Sequence, residues 1–523
     1  MKKAITIITA AALILGSAAS CSKLLYIPQH GVLNTENYYK TDDDALSAVA
    51  AIYAEFEDVL ILREFERGYN TLNSYLSDEF WHGYHQRAVD LEMLESFTFD
   101  ADYPTIELVF TSLYNVIGKC NVVLDNVKGD SDIQQQARAE AKVFRAWMYF
   151  ELTTLWGNPP LVDHVLNPDE ASVSNANPAD LWTLMETDLT EAVNSGKLVS
   201  KADMYDKSNY RVTKEYAEAL LGKVYLWQGK NEEAAKTLQK VIDSQKYDLF
   251  RGQYGDMFIG VNQNNEEVVF STHFMEDLQN PVVRLWPSST GLSAYSRDCL
   301  NFTAGEPNEL NLFANAWGGI APRGSAYEAF VAEEGVDGYR LNETIKDYDF
   351  MASHGYTIKA GEEEVSEGYF YWKGRFVGDD ISYEASFPTV FRDICWMRYA
   401  EVLLLAAEAY IGVDQAKADW CLNEVRHRAG LGDKTCTLDA VKTEKRLELY
   451  GENIRYKDLL RWGDAATVLA DAGKQFPQFS TEGLEWISPF TSYGFKKGKH
   501  ERLPYPATEI MANKNIVQNE GWN

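Results

Sequence analysis

The stretch EYAEALLGKVYLWQGKNEEAAKTLQKVIDS, residues 215–244, decides the fold. Its apolar residues recur at helical spacing, and it reads as two antiparallel helices. Gly222 and Ala234 are small enough to let the two approach closely, and Tyr225 packs into the gap beside them. A second stretch, RYAEVLLLAAEAYIGVDQAKADWCLNEVRHRAG over 398–430, repeats the scheme with Ala407 and Tyr410. Its second helix runs about one residue out of register. Residues 140–155 give a weaker echo in Ala146 and Tyr149.

The spacing of Gly222, Tyr225 and Ala234 is that of a tetratricopeptide unit of roughly 34 residues, and three or four such pairs can stack into a solenoid. Other helices are predicted around them. One spans Asp42 to Asp58, with Thr41 and Asp44 as a capping box and Ala45, Val49, Ile52 and Phe56 on one side. Thr105 to Val127 is a second, and Gln134 to Leu155 a third, its apolar face formed by Phe144, Trp147, Met148, Leu152 and Leu155. Pro178 to Ser195 is a fourth.

Between Tyr247 and Cys395 helical period fades, and Gly, Asn, Pro, Ser and aromatic residues take over. A long irregular segment inside a compact chain is usually functional or disordered. The Trp, Tyr and Phe content of this one argues against disorder. Strand-like runs occur at 267–271 and 368–376. The expected fold is therefore predominantly α, a tetratricopeptide-type helix-pair scaffold over about 35–245 and 395–470. A loop-rich lobe with a few short strands fills about 247–394, and a C-terminal segment covers 471–523. The whole of 21–523 is expected to form one compact unit.

With 523 residues, 46% of them hydrophobic and 13% aromatic, the chain can bury a large core. A net charge of −29 excludes nucleic acid as a partner, because phosphate binding needs clustered Lys and Arg. It equally excludes attraction to anionic lipid through a basic patch. Membrane contact is expected from the N-terminus instead. Lys2 and Lys3 precede an apolar run from Ala4 to Gly16, and small residues follow from Ser17 to Ser20. This is the layout of a signal peptide over 1–20, too short for a spanning helix of about 20 apolar residues. Cys21, directly after Ser-Ala-Ala-Ser, resembles the acylated residue of a bacterial lipobox and is the expected lipidation site. Two or three acyl chains, at roughly 0.8 kcal/mol per buried methylene, anchor stably where one does not. Cys120, Cys299, Cys395, Cys421 and Cys436 form neither a disulfide framework nor a metal-type pairing, and are expected as mostly buried small apolar residues.

Several stretches in order resemble the SusD/RagB family of starch-utilisation lipoproteins of Bacteroidota. They begin with CSKLLYIPQHGVLNTENYYKTDDDALSAVAAIYAEF at 21–56 and EAKVFRAWMYFELTTLWGNPPLV at 140–162. RVTKEYAEALLGKVYLWQGK, RYAEVLLLAAEAY, LNEVRHRAGL, EKRLELYGENIRYKDLLRWGDA and the ending LPYPATEIMANKNIVQNEGW follow. The resemblance implies a tetratricopeptide-bearing helical fold at the outer membrane, lipid-anchored and facing the cell exterior. It also implies a TonB-dependent transporter of the SusC type as partner. The implied ligand is an oligosaccharide or polysaccharide, with peptides in some branches of the family. No cofactor is called for, and calcium support of the loops is left open.

A sugar presents a flat apolar C–H face rimmed by hydroxyls, so its site needs exposed Trp or Tyr platforms flanked by polar side chains. Two segments fit, in the regions where the resemblance places the ligand site. The first is SDEFWHGYHQR, 77–87, with Trp81, His82, Tyr84 and Arg87. The second lies in the lobe, with Trp286, Tyr295, Asn301, Trp317 and Arg297. His82 and His85 lack a third ligand nearby and read as a solvated loop pair, not a metal site. Glu444, Glu448 and Glu452 form a like-charge column at i, i+4, with Arg446, Arg455, Asp458 and Arg461 near enough to complete a bracing network. No GxSxG, HExxH or phosphate-loop motif is present. A glycan hydrolase leaves no short motif and stands as one alternative function. A periplasmic tetratricopeptide adaptor is another.

Overall fold

A computed structural model gives the fold, and the residues it describes are 38–57, 68–83, 88–274, 310, 312, 319–378, 381–382, 389–390 and 392–522. Helices Pro104–Asn126, Asp132–Trp156, Pro178–Asn194, Lys214–Trp227 and Asn231–Asp243 stack in chain order, and Asp42–Glu57 leans on the first two. The stack then continues, from Asn231–Asp243, with Tyr399–Tyr410, Gln415–Arg428 and Leu438–Glu448. Their starts are chosen by side-chain caps, because the first N–H groups of a helix have no partner inside it. Ser131 accepts from Gln134 N at 3.1 Å, Thr213 from Tyr216 N at 3.0 Å, and Asp414 from Lys417 N at 3.2 Å. The capping box at the first helix forms as the sequence predicts, Asp44 N bonding Thr41 Oγ1 at 3.1 Å and Thr41 N bonding Asp44 Oδ2 at 2.9 Å.

The close approach expected at Gly222 is real. A Cβ there would lie 2.5 Å from Leu238 Cγ, across the pair. Tyr399–Tyr410 is buried along its whole length, because neighbours cover it on every side. Its two carboxylates survive burial by pairing: Glu401 with Lys223 at 2.7 Å, and Glu408 with Arg461 at 2.6 Å. Cys120, Cys421 and Cys436 are buried free thiols and Cys395 is half-buried, while Cys21 and Cys299 lie outside the described residues.

The chain leaves the stack after Asp243 and rejoins it at Tyr399. Strands Val268–Thr272 and Ile394–Arg398, antiparallel, tie exit to return, and Tyr399 N donates to Glu267 O at 2.7 Å. Beside this seam the acidic column of Leu438–Glu448 is buried, not solvated, and its partners differ from those the sequence suggests. Arg340 Nη1 meets Glu444 at 2.6 Å and Glu448 at 3.0 Å, and Arg398 Nε meets Glu452 at 2.8 Å. Arg428 bonds Glu448, and Glu267 at 3.0 Å. Burial alone would raise the Glu448 pKa; Arg428, Arg398 and Arg340 more than reverse it and hold it well below the usual range. Arg446 and Arg455 go instead to Asp78, at 3.0 and 2.7 Å, and Asp458 pairs with Lys445 at 2.6 Å.

The lobe is less irregular than its sequence. Its described residues include the α-helices Gly324–Glu334, Tyr339–Thr344 and Tyr348–Ser353 and the strand pair Ile345–Asp347 with Tyr369–Tyr371. The C-terminal segment adds a hairpin, Phe476–Ser480 with Gly483–Ile487, and docks Leu503 N on Leu155 O at 2.8 Å.

Candidate functional site

Residues 80–81 of the first segment singled out in the sequence pair antiparallel with 321–322 of the lobe, Phe80 opposite Pro322 and Trp81 opposite Ala321. Around it Arg323 N donates to Glu79 O at 2.9 Å, Arg323 Nε to Phe80 O at 3.0 Å, and Tyr75 Oη to Gly319 O. Residues 80–83 and 319–323 thus form one hydrogen-bonded floor.

Trp81 belongs to that floor and is not an exposed platform. It is 5% exposed. The Arg323 guanidinium lies 3.7 Å from its ring centre, a cation–π contact, and its indole N–H donates to Glu367 Oε1 at 2.9 Å. The same carboxylate oxygen accepts Gly324 N at 3.0 Å, and a Cβ at Gly324 would lie 2.4 Å from Glu367 Oε2, so a larger residue there would displace this carboxylate. Burial lowers the Arg323 pKa, opposed by Glu95, Asp78 and Glu367.

His82 is likewise fully buried, where the sequence suggested a solvated loop residue. Its Nδ1 is 3.0 Å from Glu95 Oε2 and its Nε2 3.9 Å from Glu92 Oε1. Next to this group, burial with Asp78 alongside pushes Glu79 up to about 8. Trp81 is covered by residues from distant chain and His82 by the helix that follows it, and in neither case has the local sequence a period from which burial could be read.

Tyr84, Arg87, Trp286, Tyr295, Asn301, Trp317 and the ancillary Arg297, with His85, lie outside the described residues. Aromatic surface near the floor comes instead from residues the sequence reading passed over. Trp486, on the C-terminal hairpin, is 43% exposed and meets Trp81 edge-on, ring centres 6.2 Å apart. Tyr327 and Tyr369, both half-buried, stack at 4.7 Å. No local signal marked Trp486: Leu484, Glu485 and Trp486 are all exposed along the strand, with no alternation between its faces. Tyr371 and Trp372 are core. Flat aromatic faces beside carboxylates and guanidinium suit a neutral hydroxyl-rich ligand. Among the described residues no group of three His, Cys, Asp or Glu side chains could hold a metal ion.

Comparisons with known proteins agree with this architecture. A sequence model of the SusD family matches residues 327–522, and one described as starch-binding, associating with the outer membrane, matches 39–226. SusD-like protein P25 of Formosa agariphila is 23% identical, the match covering 97% of each chain. The starch-binding protein SusD of Bacteroides thetaiotaomicron is 24% identical over 84% of this chain and 82% of its own. Among solved structures, a laminarin-binding SusD-like protein superposes with a TM-score of 0.76 at 28% identity, covering 92% of this chain and all of that one. The two matched regions together take in most of the helix stack and residues 80–83 of the floor, and the chain belongs to the SusD/RagB family of SusD-like proteins.

Proposed function

We propose that this protein binds a glycan at the cell surface and passes it to a SusC-type TonB-dependent transporter, catalysing no reaction itself. Cys21 is its lipid anchor in the outer membrane, and the binding face looks outward. The observation that supports this reading is the Trp81–Ala321 pairing, which sets the first aromatic segment against residues 321–322, a few positions after Trp317 in the chain. On this reading Tyr84, Arg87, Trp286, Tyr295, Asn301 and Trp317 supply the ligand contacts, and Trp486, Tyr327 and Tyr369 extend the aromatic surface. Trp81 and His82 set the geometry from below. The starch and laminarin binding named for two relatives makes those glucans the first polysaccharides to test.

Native gels cast with laminarin or starch test the binding. The protein should be retarded in at least one, and should release no reducing ends from it. Migration unchanged in both, alongside a panel of other polysaccharides, removes the glycan reading. Steady product release by pure protein replaces it with a hydrolase. The anchor is tested apart, since Cys21→Ala should leave the outer-membrane fraction.

A further inference from the structure

Strand register decides which charges surround Tyr369. In the pair Ile345–Asp347 with Tyr369–Tyr371, Asp347 stands opposite Tyr369 and Lys346 opposite Phe370. Opposed residues share a face of the pair and successive ones alternate. Asp347 therefore lies on the Tyr369 side and Lys346 on the other. There the Lys346 Nζ sits 4.4 Å from the Phe350 ring centre and 5.8 Å from that of buried Trp372.

Two more carboxylates come from other parts of the lobe. Tyr327, on Gly324–Glu334, stacks on Tyr369 with ring centres 4.7 Å apart and planes inclined by 25°. The next residue, Glu328, is exposed. The third carboxylate is Glu367, which the Trp81 indole and Gly324 N hold in place. A Cβ on Gly324 would lie 2.4 Å from Glu367 Oε2 and 3.5 Å from Tyr369 Cε2, so carboxylate and ring abut the same helix start. Burial raises the Tyr369 hydroxyl above its usual pKa, and Tyr327, Glu367, Asp347 and Glu328 add to the rise. Nearby cations are committed elsewhere: Arg323 lies on Trp81, Arg446 bonds Asp78, and Lys346 faces away.

A neutral sugar lying over the tyrosine pair can donate its hydroxyls to these carboxylates, whereas a carboxylate or sulfate on the sugar meets like charge. At about 8 Å in water one like charge weakens binding by a factor of about two to three, and three together by about tenfold. Salt removes the effect, since the screening length falls from about 30 Å at 0.01 M to about 3 Å at 1 M.

We propose that Glu328, Asp347 and Glu367 make this aromatic surface selective by charge, admitting neutral glycans and repelling uronate-bearing or sulfated ones. This selectivity rests on the glycan reading above and narrows its substrate class.

The test is titration calorimetry of the mature protein with laminarin, starch and galactomannan, each beside its carboxymethyl derivative, at about 0.01 M and about 1 M salt. At low salt a neutral glycan that binds should do so about tenfold more tightly than its carboxymethyl form, and at high salt the two should converge. In the Glu328→Gln/Asp347→Asn double variant the low-salt gap should shrink to about two- to threefold. Asn at 347 can still cap the helix that follows; if the double variant fails to fold, Glu328→Gln decides alone by roughly halving the gap. The double variant removes only two of 78 acidic residues, so a gap set by the charge of the whole protein would not respond. Equal affinities at low salt, a gap that persists at high salt, or a gap unchanged in the variant overturns the proposal and leaves the glycan reading standing. Binding of carboxymethyl forms alone does the same. Binding of neither form removes the glycan reading, and the proposal with it.

Discussion

Replacing Trp81 by Ala distinguishes a floor residue from a stacking platform. A buried aromatic ring removes roughly 150–250 Å² from water, and cutting a core Trp to Ala costs about 3–5 kcal/mol. At 5% exposure Trp81 should sit in that range. Its loss also strands the Glu367 carboxylate and bares the Arg323 guanidinium stacked on it, adding about 1–2 kcal/mol for broken buried polar contacts. The sum is about 5 kcal/mol, comparable with the whole stability of many domains. Urea unfolding followed by tryptophan fluorescence and circular dichroism should show a large fall in midpoint. Trp81→Phe, which keeps most of the ring but not the N–H, should lose about 1–2 kcal/mol. A Trp81→Ala protein less than about 1 kcal/mol below wild type would refute the buried reading, and loss of glycan binding in that stable variant would make Trp81 a platform after all.

Three further outcomes follow from the packing and the charges. Gly222→Val should cost about 1–3 kcal/mol by overpacking against Leu238, and adding Leu238→Ala should recover part of it; additive losses in the double variant would show that the two side chains do not meet. Arg398→Met should destabilise by about 3–5 kcal/mol because it leaves Glu267, Glu448 and Glu452 buried with too few cations, and a neutral effect in urea titration would contradict the network. Glu79, whose pKa rises to about 8 when folded, contributes stability that is full below its ordinary value of 4.5 and is lost as pH climbs through about 8. Glu79→Gln should therefore gain on wild type by on the order of 3 kcal/mol between about pH 5 and pH 8, and equal pH slopes for the two proteins would refute the assignment.

The helix stack was legible because its signals are local. A small residue at 222, a capping pair at 41 and 44, and an apolar stripe through Ala45, Val49, Ile52 and Phe56 each act within a few residues, and their helix ends fell within one or two positions of expectation. The lobe was harder to read for the converse reason. Gly324–Glu334 buries only Gly324, Ala326 and Phe330, too few to print a helical period. The acidic column at 444, 448 and 452 was visible, but its true partners Arg340, Arg398 and Arg428 come from other parts of the chain. Of the candidate site, the burial of Trp81 and His82 was not legible, because it depends on Arg323, Glu367 and Glu95, which no periodic pattern connects to them.

The antiparallel seam between Val268–Thr272 and Ile394–Arg398 has a consequence for how such proteins diversify. It returns the chain to its point of departure, so residues 273–393 form a closed excursion whose ends are fixed by the strand ladder and by Glu267, Arg398 and Arg428. Closing an excursion costs entropy only logarithmically, about 0.6 kcal/mol for each doubling of its length. A change of length between Thr272 and Ile394 thus costs the frame little in closure entropy, whereas wholesale exchange has to keep Arg340, which neutralises the buried Glu444 and Glu448, and the 321–322 edge that pairs with Phe80 and Trp81. Variation is therefore cheapest in the parts of the excursion that carry neither, and homologues that differ there can keep the same helices in the same order.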